Sequence, residues 1–168
     1  MRILDHGPVG AIRRNHALEH ATIHVLTERS PGVRLVGRSD WGGFNLYGSL
    51  ETALVEEAVA VALARLKGGD NTLAVHPQCG TNLATGAILA WLASSAALSG
   101  RWRSRLAKSL QLVAGVGAAF VLARPLGARV QRDVTTDGDV SQLEVSRVLR
   151  LQRGAVILHR VVTNQGHA

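Results

Sequence analysis

His16-Ala17-Leu18-Glu19-His20 sets two imidazoles four residues apart with a carboxylate between them. Positions four apart share one face of a helix, so His16 and His20 can ligate a single metal ion while Glu19 stands beside them as a base toward water. Helix histidines paired with a glutamate also arise without a metal, and three fixed positions in five are moderately specific. A second element adds weight. His76-Pro77-Gln78-Cys79-Gly80 places an imidazole and a thiol three residues apart on a turn enforced by proline and glycine. Both groups are ligands for zinc, with iron as the alternative metal. Helix and loop together would either close a tetrahedral site, which stabilises, or leave one position open, which permits catalysis.

The remaining candidates are weaker. His24 continues the four-residue spacing, but each such step turns about 40° around the helix, so it drifts from His16 and reads as a polar face residue or a supporting group. His6, His159 and His167 are isolated and read as surface or terminal residues. Thr81 and Asn82 follow the loop and would either support its ligands by hydrogen bonds or cap the next helix. Glu51, Glu56 and Glu57 precede the loop on a separate element, so no downstream glutamate obviously completes a site. Asp40-Trp41-Gly42-Gly43-Phe44 and Tyr47 gather aromatics on a glycine-rich turn. That turn offers an edge to an extended peptide, a contact with a membrane interface, or simply its own small hydrophobic cluster.

These residues need elements to hold them. Pro8 to Arg29 reads as one helix, opened by Gly7-Pro8 and stopped by Ser30-Pro31-Gly32. Arg34 to Arg38 and Phe44 to Ser49 read as a β-hairpin, and Glu51 to Lys67 as an alanine-rich helix ended by Gly68-Gly69. A short strand, Thr72 to Val75, leads into the loop. Thr81 to Gly100 carries no charge, and at about 1.5 Å per residue it is long enough to cross the hydrocarbon core of a bilayer. The basic stretch Arg101-Trp102-Arg103-Ser104-Arg105 follows, then a second uncharged run, Leu110 to Ala123, reaching Ala128 if Arg124 snorkels. The competing reading is a pair of core helices in a soluble bundle. Positive charge favours a cytoplasmic loop at Arg101, Arg103, Arg105 and Lys108, yet the flanking segments are also arginine-rich and leave the orientation open. Beyond Pro125, extended runs are expected at Ala128 to Thr135, Leu143 to Leu151 (or helical) and Ala155 to Thr163.

The bulk composition agrees with a membrane setting. Hydrophobic residues make up 46% of the 168 and charged residues 18%, more apolar than an ordinary soluble domain. The net charge of +7 is spread along the chain with only 4% aromatics, so it points to anionic lipid headgroups as partner and away from nucleic acid. A single cysteine excludes an intramolecular disulfide. No cleavable leader is expected from Met1 to Gly10.

His16, Glu19 and His20 stand in the order H-x-x-E-H, similar to the inverted zinc-peptidase motif. Joined to His76-Pro77-Gln78-Cys79-Gly80-Thr81 before an apolar segment, they resemble the YqhQ family of bacterial membrane proteins, and the resemblance implies metal dependence without bringing a known substrate. The chain is also similar, over most of its length, to an uncharacterised family of short bacterial membrane proteins with a His-Ala-Leu-Glu-His-Ala-Thr helix and the same loop. It departs from the YqhQ type in being shorter, with at most two spans. The resemblances imply a metal centre at the surface of the bacterial cytoplasmic membrane, in a protein crossing it more than once.

The expected fold is α+β. A metal-site helix, β-hairpin and helix occupy residues 1–80, an apolar helical hairpin 81–128, and a C-terminal β segment packing on the first region 129–168. The leading expectation is a zinc-dependent hydrolase of peptide or other amide bonds, with His16, His20, His76 and Cys79 as ligands and Glu19 as base. The alternative is a non-catalytic module stapled by the metal, or an accessory subunit docking to partner membrane subunits through small-residue helices.

Overall fold

A computed structural model describes residues 3–99, 104–154 and 156–166. Gly100, the Arg101-Trp102-Arg103 part of the basic stretch, Ala155 and His167 lie outside the described residues. The chain divides into two compact units, residues 1–76 with 132–168, and residues 77–131.

The first unit is α+β. Helix α1 (Gly7–Arg29) starts with Pro8 in its first turn, and the N–H of Ser30 closes it on Leu26 O. Strands β1 (Val36–Asp40) and β2 (Gly43–Tyr47) form a hairpin around Trp41-Gly42, with Asp40 opposite Gly43. A side chain at Gly43 would strike the Val161 carbonyl, and its φ of 137° suits glycine alone. Helix α2 (Thr52–Lys67) follows. After residue 131 the chain supplies β3 (Leu143–Arg153) and β4 (Val156–Gln165), and the antiparallel sheet has the order β1-β2-β4-β3. A bulge between Val145 and Arg147 interrupts the edge strand β3, which discourages pairing with another chain.

Register decides what the sheet buries. Phe44 pairs with Val161 and Leu46 with His159, so these four side chains share one face. Onto that face α2 lays Val55, Ala58, Val59, Ala62 and Leu66, a helical stripe at spacings of three and four. Helix α1 adds Leu18, Val25 and Leu26. Each large apolar side chain sealed here contributes about 1.5–3 kcal/mol.

Two expectations fail. Thr72 to Val75 is no strand but part of a 3-10 turn, Asn71–Ala74. The Asp70 carboxylate accepts from Thr72 Oγ1, and the Leu73 N–H reaches Asp70 O, so the segment closes on itself. Ala128 to Thr135 is not extended either. Helix α4 (Arg105–Val130) continues through Pro125 and ends in a π turn, Gln131–Thr135. An internal proline removes one backbone hydrogen bond, which neighbouring turns can tolerate in an apolar helix.

The second unit is α3 (Gly80–Ser99) packed on α4. Gly86 lies against Ala123 and Gly115 against Ala93, so small residues let the backbones approach closely. Both helices are long and apolar enough to cross a membrane, and little of either is buried. Leu83, Trp91, Val113 and Phe120 stand exposed along them.

His159 is a liability in the first core. It is fully buried, its Nε2 meets Thr52 Oγ1 at 3.2 Å, and its Nδ1 has no hydrogen-bond partner among the described residues. Burial, then Arg150, push its pKa below 6.5 against a smaller opposing pull from Glu56. Because the folded value lies below the unfolded one, stability is full above about pH 6.5 and falls as acid protonates the unfolded chain preferentially. His159→Leu should therefore flatten the loss of thermal stability between about pH 7 and about pH 5. Melting curves of both proteins across that range test it, and parallel slopes would refute the assignment.

Candidate metal centre

Helix α1 is buried on most of its circumference, and polar side chains go in with the apolar ones. Arg13, Asn15, Glu19, His20 and Thr22 are all buried. Asn15 shows how they are satisfied: Nδ2 donates to Asp40 O and Trp41 O at 2.8 and 3.2 Å, and Oδ1 accepts from Thr163 Oγ1 at 2.7 Å. Arg13 donates to Thr136 O at 2.8 Å and pairs with Asp5.

The histidines follow the same rule. His16 Nδ1 lies 3.0 Å from Thr135 O, and His20 Nδ1 2.8 Å from Ala74 O. A carbonyl only accepts, so each ring carries a proton on Nδ1, and its uncharged form has the lone pair on Nε2. This is the tautomer in which metal-ligating histidines are held by a carbonyl behind them. The two rings lie 4.3 Å apart, centroid to centroid.

His76 joins them. Its ring centroid is 5.7 Å from that of His20 and 4.9 Å from that of His24. Burial, then the neighbouring His24 and His20, push its pKa down to about 4, so near neutral pH it is an uncharged imidazole. His24 itself holds Val75 O through Nε2 at 3.0 Å. The helical drift that set it apart from His16 carries it toward the segment before the loop. Its continuation of the four-residue spacing was the one signal in the sequence for that role.

Glu19 meets strand β1. Its Oε2 accepts from Ser39 Oγ at 2.5 Å, and its carboxylate packs where Gly37 has no side chain. The base candidate is thus clamped by β1, at 4% exposure. Of the three later glutamates, Glu57 pairs at 2.9 Å with Arg29, the last residue of α1. Glu56 lines a cavity of about 670 Å³ between α2 and β3.

Cys79 belongs to the second unit, three residues beyond His76. Its Sγ accepts from the Thr81 N–H at 3.5 Å, and its S–H donates to Thr81 Oγ1 at 3.5 Å.

A histidine-rich helix built into an α+β unit, with a Cys-bearing loop leading into an apolar helical hairpin, defines the class of this protein. Residues 11–148 match a domain of unknown function, DUF6391, and the chain belongs to that family. An uncharacterised protein of Picosynechococcus sp. (strain ATCC 27264 / PCC 7002 / PR-6) is 36% identical over 138 residues, 74% of this chain and 65% of the relative. The match thus spans just under two thirds of that protein's length. No solved structure matches.

The clamp on Glu19 is testable without a metal. Gly37→Ala would drive a methyl group into the carboxylate and should destabilise the fold by about 1–3 kcal/mol. Adding Glu19→Ala should recover part of that loss, because the two side chains compete for one space. Denaturant titration of the single and double variants measures it, and simple additivity would contradict the packing.

Proposed function

We propose that this protein is a membrane-anchored transition-metal protein in which His16, His20 and Cys79 ligate one ion, zinc first and iron second. The observation that carries the reading is the pair of backbone carbonyls, Thr135 O and Ala74 O, which fix both helix histidines with Nε2 as the ligating atom. The ligand types support it as well: two imidazoles and a thiol form a donor set suited to zinc, each contributing one atom. Three residues of chain keep the Cys79 Cα within about 11 Å of that of His76, so the loop carries the thiol to the neighbourhood of the histidines. His76, neutral at ordinary pH, is the natural fourth ligand or a group beside an open position.

With a position open, the chemistry is hydrolysis of a peptide or other amide bond. The ion would supply Lewis acidity toward water and the substrate carbonyl. Glu19, its Oε2 held by Ser39 Oγ, would take the proton from the attacking water. The H-x-x-E-H order and the likeness to YqhQ-type enzymes support this reading. One observation favours a second: Glu19 is buried and engaged by β1. In that reading His76 closes a four-coordinate site, and the ion staples α1 to the loop without catalysis.

Helices α3 and α4 are read as a two-span hairpin in the bacterial cytoplasmic membrane, with lipid against their exposed apolar faces. Chain topology supports two crossings rather than one. Strands β3 and β4 complete the sheet begun by β1 and β2, so the chain must return to the side it left. Small-residue faces on the same helices would accept partner membrane subunits.

Elemental analysis of detergent-purified protein tests the site. About one zinc or iron per chain is expected in the wild type, lost in His16→Ala and in Cys79→Ala. Absence of metal after anaerobic purification and reconstitution would overturn the reading. Glu19→Gln should keep the metal and abolish amide hydrolysis; a metal-loaded wild type without hydrolytic activity decides for the staple.

A further inference from the structure

The loop that presents Cys79 is held by a side chain that looks, from the sequence, like a helix cap. Asn82 is the third residue of α3, and its side chain runs backward: Nδ2 donates to Pro77 O at 2.8 Å. Its backbone N–H donates to Cys79 O at 3.0 Å. Two bonds from one residue therefore fix the loop on either side of Gln78.

Asn82 is fixed in turn from the end of α4. Gln131 Nε2 donates to Asn82 Oδ1 at 2.7 Å, and Gln131 is fully buried. That bond settles which way the Asn82 amide points, with oxygen toward Gln131 and nitrogen toward Pro77. Gly127, one turn before Gln131, leaves the space into which Asn82 fits; a methyl group there would overlap the Asn82 side chain. A buried polar pair is held in the geometry that satisfies both partners, so the chain Gln131–Asn82–Pro77 determines how the loop stands at the foot of the hairpin.

We infer that Asn82 and Gln131 are positioning residues for the Cys79 thiolate, transmitting the packing of α3 on α4 into the direction in which the sulfur is offered to a metal. The inference rests on Cys79 being a ligand, as proposed above. Outer partners of this kind change metal affinity by about ten- to a hundred-fold when lost. Their effect falls on the sulfur, because His16 and His20 are held independently by Thr135 O and Ala74 O.

Cobalt(II) titration of the full-length, detergent-purified chain under anaerobic conditions separates the possibilities. Wild type should show a thiolate-to-cobalt charge-transfer band that Cys79→Ala abolishes. Gln131→Glu keeps the size of the side chain but removes the donated N–H, and Gly127→Ala keeps every polar group while displacing Asn82. Both should bind cobalt about ten- to a hundred-fold more weakly, with a diminished or shifted charge-transfer band. Ser94→Ala, whose hydroxyl donates to Ala90 O of its own helix turn, should match the wild type in both readouts. A normal band and affinity in Gln131→Glu and Gly127→Ala, beside a wild-type band that depends on Cys79, overturns the brace and leaves the metal site standing. Weaker binding with an unchanged band also overturns it, since that is the mark of a general loss of structure. No Cys79-dependent band in the wild type overturns the brace together with the site beneath it.

Discussion

A buried helix that carries polar side chains must find a partner for each of them, and most of the first unit is arranged around that demand on α1. An unpaired buried donor or acceptor costs about 1–3 kcal/mol, several of which would exceed the margin of a small domain. The hairpin β1–β2 supplies Ser39 Oγ and the carbonyls of residues 40 and 41, β4 supplies Thr163, and the segment after α4 supplies Thr135 O and Thr136 O. The turn at 71–74 presents Ala74 O, with Val75 O just beyond it. The groups that meet the histidines of α1 are backbone carbonyls, which only accept, so each ring presents an N–H to its partner.

That hydrogen bonding links folding to chemistry. A carbonyl behind each of His16 and His20 holds the ring through Nδ1, so the bond that satisfies the buried side chain is also one that would orient it toward a metal ion. Glu19 is constrained differently. Its tight contact with Gly37 and Ser39 makes it part of the packing between α1 and β1, so any proton it accepts must reach it without disturbing that contact. The same carboxylate thus ties the stability of α1 to that of the hairpin.

The apolar hairpin sits between two halves of one sheet in the order of the chain. Residues 77–131 separate β1 and β2 from β3 and β4, although β2 and β4 pair directly. An insertion is compatible with such a sheet when its two ends stay close, and an antiparallel helix pair satisfies this by returning the chain to where it departed. The close approach of Gly86 to Ala123 and of Gly115 to Ala93 keeps that pair tight along its length.

Much was legible in the sequence because it was local. Pro8 and Gly32 bound α1, the glycines at 42 and 43 mark the hairpin, and two runs nearly free of charge mark α3 and α4. The metal-binding residue types at 16, 20, 76 and 79 were evident from spacing alone. Tertiary structure decided the rest: that His24 joins His76, that Glu19 turns to Ser39, that residues 72–75 close a turn instead of forming a strand, and that Gln131 reaches Asn82. The physical reason is the nature of the partners. His16 and His20 are held by backbone carbonyls 119 and 54 residues away. Every residue has a carbonyl, so no residue type announces which one will be used. Spacing along a helix determines which side chains can face together, and only the folded chain determines what stands in front of them.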